Sequence, residues 1–244
     1  EFCQARFRKG ITMRDAREFM KESNYFGSMM VKLGDADALI GGLNYHYPQV
    51  IRPALQCVGV KKEFNICAGL YIVIIKKKSY FFADTTVNID PTADQLAEIA
   101  LMTAQTVKQF DITPRLAMLS FSNFGSAKYP QSEKVAKAVD ILHKRKPDLM
   151  VDGEMQADTA VVPERLEKEF PFSVLKGGAN VLIFPDLNSG NIAYKLFERL
   201  TNATVIGPIL MGMNKPIHVL QRGATVNDIV NMSAIAAVEA SNGK

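Results

Sequence analysis

The sequence has no tryptophan and only three cysteines and three histidines in 244 residues. The cysteines are odd in number and show no C-x-x-C spacing, which argues against a disulfide framework and against a zinc site. The histidines are spread along the chain without metal-ligand spacing. We therefore expect reduced thiols, no metal site and a cytoplasmic location.

The sequence also lacks long apolar runs and a large excess of charge of one sign. No run approaches the roughly 20 apolar residues that a membrane-spanning helix needs, and no signal peptide opens the chain. The net charge is +4, and the basic triplet Lys76–Lys78 suits a solvated turn between two apolar strands. No basic stripe interleaved with exposed aromatics is present, so we expect neither a membrane nor a nucleic acid as partner. A small positive excess suits an anionic small ligand.

What is present is typical of an ordinary soluble globular protein. Hydrophobic residues make up 48% and charged residues 22% of the sequence, and the mean hydropathy is +0.01. This length fits one large domain or two smaller ones. The chain starts at Glu1 without an initiator methionine, and we expect it to be a piece of a longer polypeptide.

Strand and helix patterns alternate along the chain. Apolar runs at 66–75 and 79–83 flank the lysine triplet and predict a hairpin. Strands are predicted at 116–119, 149–151, 181–184 and 205–206, and helices at 12–20, 91–110, 132–144, 163–170, 191–200 and 225–240. Residues 24–27 suggest a turn and residues 207–216 a buried, shaped loop. The alternation predicts an α/β fold, a mainly parallel sheet with helices on both faces.

Ligands of such folds bind beyond the carboxyl ends of the strands. Four loops lie at predicted strand ends: 41–48, 120–130, 185–191 and 207–223. The second loop begins with a segment that we name the serine loop, residues 120–126, which contains Ser120, Ser122 and Ser126. Its hydroxyls suit hydrogen bonding to phosphate or another anion. An ordinary loop built from common loop residues is the alternative.

The fourth loop ends with Arg222 and Gly223, just before the last predicted helix. An arginine beside a helix N-terminus makes an anion site, and Asp228 in the first helical turn is placed to take a proton from a thiol. Alternatively, Asp228 only supports the helix dipole. We also expect Asp228 to orient Arg222 when no ligand is bound. His46 lies in the first of the four loops, and its role is left open.

Five longer motifs occur in one order along the chain. They are NYFGSMMV at 24–31, IRPALQ at 51–56, PTADQLAEIA at 91–100, NVLIFPDLNSGN at 180–191 and GPILMGMNKP at 207–216. With these motifs the chain resembles the phosphate acetyl/butyryltransferase family over essentially all of its length. The resemblance implies a two-part, isocitrate-dehydrogenase-like fold with a coenzyme A cleft. It places an inserted domain at 63–207, between the parts 1–62 and 208–244 of a domain truncated at its N-terminus.

The family's functional residues carry over only in part. Its base toward the coenzyme A thiol matches Asp228 and its arginine matches Arg222, which makes these two the catalytic candidates if the chain is an active transferase. Gln221 stands where the family has a serine. Two more family arginines match Arg52 in the second motif and Arg6 in an R-x-x-K-G pattern. The other ligand-binding candidates are chosen for their place in the predicted loops: Asn214, His46 and the three serines of the serine loop.

Two segments depart from the family's pattern and indicate a particular branch of the family. The family's Thr-rich loop is missing at 41–48, and NYHYP at 44–48 and KPIHVLQ at 215–221 resemble the C-terminal phosphotransacetylase-like domain of bacterial multidomain NADP-dependent malic enzymes. This resemblance implies an allosteric regulatory domain that binds acetyl-CoA or coenzyme A and forms a homo-oligomer.

In that case a malic enzyme domain of the same polypeptide would hold NADP and a divalent metal and decarboxylate malate oxidatively to pyruvate. We then expect this part of the chain to be non-catalytic, because Gln221 is longer than serine. The alternative is a catalytically active phosphate acetyltransferase.

Overall fold

The computed structural model describes residues 1–242. Contacts divide the chain into two compact units, which we describe separately. The first unit contains Glu1–Phe64 and the chain from Gly207 onward, and the second contains Asn65–Ile206. Among the described residues, no helix has the length and apolar character to cross a membrane.

After the first three helices, strands and helices mostly alternate. In chain order they are α1 (Phe2–Arg6), a 3-10 turn (Phe7–Lys9), α2 (Met13–Phe19), α3 (Ser23–Leu33), β1 (Leu39–Gly42), α4 (Tyr47–Cys57), β2 (Ala68–Ile75), β3 (Lys78–Ala83), α5 (Ala93–Lys108), β4 (Leu116–Leu119), α6 (Pro130–Arg145), β5 (Val151–Met155), α7 (Ala157–Val161), α8 (Pro163–Glu169), β6 (Val181–Ile183), α9 (Leu187–Leu200), β7 (Thr204–Met211), β8 (Ile217–Leu220) and α10 (Val226–Asn242). The exceptions to the alternation are the consecutive strands β2–β3 and β7–β8 and the consecutive helices α7–α8.

The first unit is built around two short parallel strands. β1 pairs with β8 from Leu39 opposite Ile217 to Gly42 opposite Leu220, and α4 and α10 pack against both strands or their ends. Gly42 has a φ of +110°, and a Cβ atom there would lie 2.2 Å from the backbone oxygen of Leu220. Glycine is therefore required for the two strand ends to approach this closely.

The second unit contains five strands of a six-stranded sheet in the order β5-β4-β6-β3-β2-β7; the sixth strand, β7, begins in this unit and continues past Ile206 into the first. β2 and β3 form the predicted antiparallel hairpin, and Lys76 and Lys77 turn between them with positive φ angles of 49° and 67°. The pairs β3 with β6, β4 with β6 and β4 with β5 are parallel. Parallel pairing of strands that alternate with helices matches the sequence pattern.

Helices cover both faces of this sheet. Ala117 and Leu119 of β4 belong to a buried cluster that includes Leu166 of α8 and Tyr194 of α9. α5 and α6 also pack on the sheet, and the residues that alternate with the cluster along β4, Leu116 and Met118, are fully buried as well. The predicted α/β fold with helices on both faces is confirmed.

Three local predictions are wrong for identifiable reasons. The predicted turn at 24–27 lies inside α3, where Gly27 leaves room for Leu39, whose Cδ1 atom would lie 3.0 Å from a Cβ at that glycine. The predicted loop at 207–216 contains most of β7. Its Gly and Pro residues are typical of loops, and they obscured the pattern of a buried strand. β5 starts at Val151 rather than ending there, because Asp152 and Glu154 interrupt its apolar pattern.

Candidate functional site

The carboxyl ends of β1 and β8 lie side by side in the first unit. Gly42 is paired with Leu220 at the last position of the two strands, and α4 and α10 begin within six residues of these ends. Helix N-termini carry unpaired N–H groups and a partial positive charge. This is the place where an open parallel sheet binds ligands. We name it the strand-end site and define it by His46, Gln221, Arg222 and Asp228.

Arg222 and His46 meet at the strand-end site although they are 176 positions apart in sequence. The guanidinium Nη2 lies 3.1 Å from the imidazole Nε2, and both side chains are exposed. Because arginine only donates hydrogen bonds, Nε2 of His46 is the acceptor and carries no proton. The backbone N–H of His46 donates to Oε1 of Gln49 at 2.8 Å, which fixes the start of α4.

Asp228 forms a capping box with Thr225 at the start of α10. Its Oδ2 accepts bonds from the backbone N–H of Thr225 at 2.7 Å and from the Thr225 hydroxyl at 2.8 Å, and its own N–H donates to that hydroxyl at 3.3 Å. These bonds use one of the two carboxylate oxygens. Asp228 therefore does support the helix start, as one of the two sequence interpretations states.

The expected pairing of Arg222 with Asp228 is wrong. In the part of the chain that the structure describes, no ion pair joins the two side chains; His46 is the partner of Arg222, and Thr225 is the partner of Asp228. The capping box directs the carboxylate toward the helix start, and the guanidinium is bonded to His46 instead.

Gln221 and Asn214 lie in the same stretch of the first unit but differ in role. Gln221 is half-buried and directly precedes Arg222, and its backbone oxygen accepts a bond from the N–H of Ala224 at 3.2 Å. The amide nitrogen of Asn214 donates to the backbone oxygens of Val58 and Val60 at 3.0 and 2.8 Å. Asn214 thus ties two chain segments together.

Arg52 and Arg6 both lie in the first unit, and both act electrostatically on Tyr25. Arg52 is exposed on α4 and lines a cavity of about 430 Å³ together with Tyr25 and Tyr45. Burial raises the pKa of Tyr25, and the charges of Arg52 and Arg6 act in the opposite direction. The Nε atom of Arg6 is buried and has no hydrogen-bond partner within the described residues.

The serine loop of the second unit uses its polar groups internally. Ser122 is fully buried, and its hydroxyl donates to Oε1 of the buried Glu154 at 2.8 Å, the same oxygen that accepts the N–H of Gly125 at 2.6 Å. The oxygens of Ser120 and Ser126 accept backbone N–H bonds from within the loop, at 3.3 and 2.9 Å. These contacts fit the ordinary-loop alternative.

Two residues that shape the strand-end site are not among the candidates named from the sequence. Thr225 is the partner of Asp228, and the T-x-x-D pattern at 225–228 is a recognisable capping signal. Gly42 permits the close approach of β1 and β8, and only a glycine pair at 41–42 marks it in the sequence. Among the described residues, no group of three or more His, Cys, Asp or Glu side chains is placed to hold a metal ion.

Comparisons with known proteins agree over nearly the whole chain. The family model described as Phosphate acetyl/butaryl transferase matches residues 1–237. A phosphate acetyltransferase of Bacillus subtilis (strain 168) is 46% identical over 96% of this chain and 72% of the relative, and one of Clostridium acetobutylicum is 41% identical over 100% and 75%. The crystal structure of a phosphotransacetylase from Streptococcus pyogenes superposes with a TM-score of 0.93 at 45% identity, over 98% of this chain and 73% of that one.

These relatives overturn the expectation of a malic enzyme regulatory domain. They are named as phosphate acetyltransferases, and this chain matches them at 41 to 46% identity over nearly all of its own length. Three further expectations depended on the malic enzyme interpretation and are withdrawn with it: bound NADP, a divalent metal elsewhere in the polypeptide and a non-catalytic role. The segments that suggested the malic enzyme, 44–48 and 215–221, contain the start of α4 and the strand β8, which the fold itself requires.

Proposed function

Because the chain belongs to the family described as Phosphate acetyl/butaryl transferase, we propose that it transfers an acetyl group between coenzyme A and phosphate. Acetyl-CoA and phosphate give acetyl phosphate and coenzyme A, and the reverse. The observation that carries the proposal is the exposed guanidinium of Arg222 at paired strand ends, beside the start of α10. We also propose that the two units are the domains of the enzyme, with the inserted one at 63–207.

Arg222 is assigned to the phosphate group. A guanidinium offers forked N–H donors that match two phosphate oxygens, and the free N–H groups of a helix start add further donors and positive charge. Its partner His46 is uncharged when it accepts the bond, so that the positive charge of Arg222 is not neutralised by the contact. An incoming anion therefore meets an available cation.

Asp228 is assigned to proton transfer with the coenzyme A thiol. When acetyl phosphate is consumed, the carboxylate takes the S–H proton, the thiolate sulfur bonds to the acetyl carbon, and the bond from that carbon to the phosphate oxygen breaks. When acetyl phosphate is made, a phosphate oxygen attacks the thioester and the departing thiolate regains its proton from Asp228. The thiolate is thus the nucleophile in the first direction and the leaving group in the second, and Asp228 accepts or returns its proton.

Gln221 stands in the position of the family's serine and retains hydrogen-bonding ability. Its amide has two N–H donors and a carbonyl acceptor, whereas serine has one donor. We assign it to the reacting oxygen of the acetyl group, a place where a donor stabilises developing negative charge. Arg52 and Arg6 are assigned to the phosphates of coenzyme A, because both are cationic and Arg52 lines a cavity in the first unit.

The test is an assay of acetyl phosphate formed from acetyl-CoA and phosphate. We expect turnover by the unmodified protein and a loss of about 10²- to 10⁴-fold in kcat for Asp228→Asn, the usual contribution of a positioned acid or base. Asparagine is itself a good helix cap, so the substitution removes the base and keeps the capping oxygen. Thr225→Ala is the control for the helix start, because it weakens the cap and leaves the carboxylate in place.

Binding is measured separately from turnover by thermal unfolding. Acetyl-CoA at 100 times its dissociation constant adds about 2.7 kcal/mol to the stability of a protein that binds it only when folded. We expect acetyl-CoA to raise the melting temperature. Adenosine alone, added at the same concentration, should not raise it. An unchanged melting temperature at millimolar acetyl-CoA, together with no turnover, would reject the proposed function.

A further inference from the structure

The hydrogen bond between Arg222 and His46 gives the histidine a role of its own. We infer that His46 is a positioning residue, which holds the guanidinium of Arg222 at the strand ends and keeps it away from Asp228. The inference rests on the proposed function for the roles of Arg222 and Asp228. The contact that carries it is the 3.1 Å distance between Nη2 of Arg222 and Nε2 of His46.

An exposed arginine six positions before a carboxylate has an obvious competing partner. An ion pair between Arg222 and Asp228 would occupy the cation that phosphate needs. It would also favour the charged form of the carboxylate and so make Asp228 a weaker proton acceptor. A neutral imidazole as partner has neither effect, and it gives up the guanidinium more readily than a carboxylate does, because a hydrogen bond between two charged groups is stronger.

The backbone that carries the imidazole is fixed at the start of α4. The backbone N–H of His46 is bonded to Gln49, and the neighbouring Tyr45 hydroxyl lies 2.9 Å from the hydroxyl of Ser23 on α3. The loop itself leaves β1 at Gly42, whose register with Leu220 is fixed by the strand pairing. His46 and Arg222 are thus brought together by the same strand pair that creates the site.

Two substitutions at position 46 test whether His46 acts by its hydrogen bond to Arg222 or only by filling space. His46→Leu removes the acceptor, and His46→Gln retains a carbonyl oxygen as acceptor. We expect His46→Leu to raise the KM for phosphate about three- to tenfold, the equivalent of one net hydrogen bond, to lower kcat, and to leave the KM for acetyl-CoA unchanged. His46→Gln restores most of the phosphate affinity. A general loosening of the fold would raise both KM values and would not be rescued by glutamine.

A double-mutant cycle on binding of inorganic phosphate tests the same inference without turnover. His46→Leu should weaken phosphate binding about three- to tenfold when Arg222 is present, and should have no further effect in Arg222→Ala. His143→Leu is the control, since His143 lies in the second unit, where its Nε2 is 3.1 Å from the backbone oxygen of Val151.

The outcomes separate the two claims. Coupling in the cycle without acyl transfer would reject the proposed function and leave the positioning role intact. Turnover with an unchanged phosphate KM in His46→Leu, or equal effects of His46→Leu with and without Arg222, would overturn the positioning role.

Discussion

The strand-end site and the serine loop both follow the carboxyl end of a parallel strand, yet their polar side chains are used differently. In the serine loop, Ser122 is fully buried and its hydroxyl is bonded to the buried Glu154. At the strand-end site, Arg222 and His46 are exposed and bonded to each other. One loop uses its polar groups to hold its own shape, whereas the other presents them to solvent.

The difference teaches which observation separates a binding loop from a structural one. Both segments are rich in hydrogen-bonding residues, and both lie where ligands of parallel sheets bind. A buried hydroxyl with a protein partner has its hydrogen-bonding capacity satisfied, so removing it costs stability. An exposed cation with a neutral partner costs little to rearrange, so removing it costs affinity. The predictions below test this division.

The largest effect is expected for Gly42→Ala at the junction of β1 and β8. The new Cβ would lie 2.2 Å from the Leu220 oxygen, and the residue would keep a φ of +110°, which side chains other than glycine rarely adopt. We expect a loss of about 3 kcal/mol or more in the free energy of unfolding, together with loss of phosphate binding.

Gly34→Ala is the matched control for that change. Gly34 also has a positive φ, +89°, but nothing lies within 4 Å of the added Cβ, so the cost should be about 1 kcal/mol. Urea unfolding of both variants measures the difference. Equal losses would show that backbone conformation, and not the approach of the strands, determines the requirement for glycine at position 42.

Arg222→Ala should weaken ligand binding and leave stability nearly unchanged. We expect a loss of roughly 1.5 to 3 kcal/mol in the binding free energy of phosphate, the range for hydrogen bonds to charged groups. The free energy of unfolding should change by less than about 0.5 kcal/mol, because the side chain is exposed. Calorimetry and denaturant unfolding on the same variant provide both numbers. Unchanged affinity with a large stability loss would reverse the assignment of this arginine.

Ser122→Ala should show the opposite pattern in the second unit. The substitution removes a donor to Glu154 and an acceptor for the N–H of Ala127, at a cost of about 1 to 3 kcal/mol in stability. Phosphate affinity should not change. Ser126→Ala, at an exposed position of the same loop, is the milder control. A drop in ligand affinity with normal stability would place the serine loop at the ligand after all.

The two buried cysteines, one in each unit, are expected to react most slowly at neutral pH, and this is the smallest effect that we predict. Burial raises the pKa of Cys57 from 9.0 to about 12 and that of Cys67 from 9.0 to about 11. Both thiols therefore remain protonated at pH 8, and iodoacetamide should label them only as fast as each unit opens. Mass spectrometry of digested samples reports the two units independently.

The same shifts predict a loss of stability at high pH. Above about pH 9 an unfolded thiol releases its proton while the folded one retains it, so the free energy of unfolding falls as the pH rises toward the folded pKa. The slope is at most about 1.4 kcal/mol per pH unit for each thiol. Urea midpoints at pH 8 and 10 measure it, and Cys57→Ala should reduce the slope. An identical slope in that variant would assign the effect to other groups.

Features determined by neighbouring residues were predictable from the sequence. The hairpin of β2 and β3 follows from two apolar runs and a short lysine turn, and the helix predicted at 91–110 is α5, which begins two residues later, after its cap Thr92. The family resemblance identified Arg222 and Asp228 as candidates. Local signals were sufficient because these elements are stabilised by contacts close in sequence.

Features determined by distant residues were not predictable. The burial of Ser122 depends on Glu154, which lies 32 positions away on β5. The partner of Arg222 depends on the pairing of β1 with β8, which no local pattern indicates. The malic enzyme interpretation failed for a related reason, because it weighed two short segments above the motifs that extend over the whole chain.

The pairing of β1 with β8 also has a kinetic consequence. More than 170 residues separate the two strands, and the whole of the second unit lies between them. Closing a loop of that length is entropically unfavourable until the intervening chain has compacted, and contacts so distant in sequence form slowly. On the ribosome, β1 emerges long before its partner is synthesised. We therefore expect the anion site to assemble late, so that recovery of phosphate binding during refolding lags behind the return of helical signal and reports the completed fold.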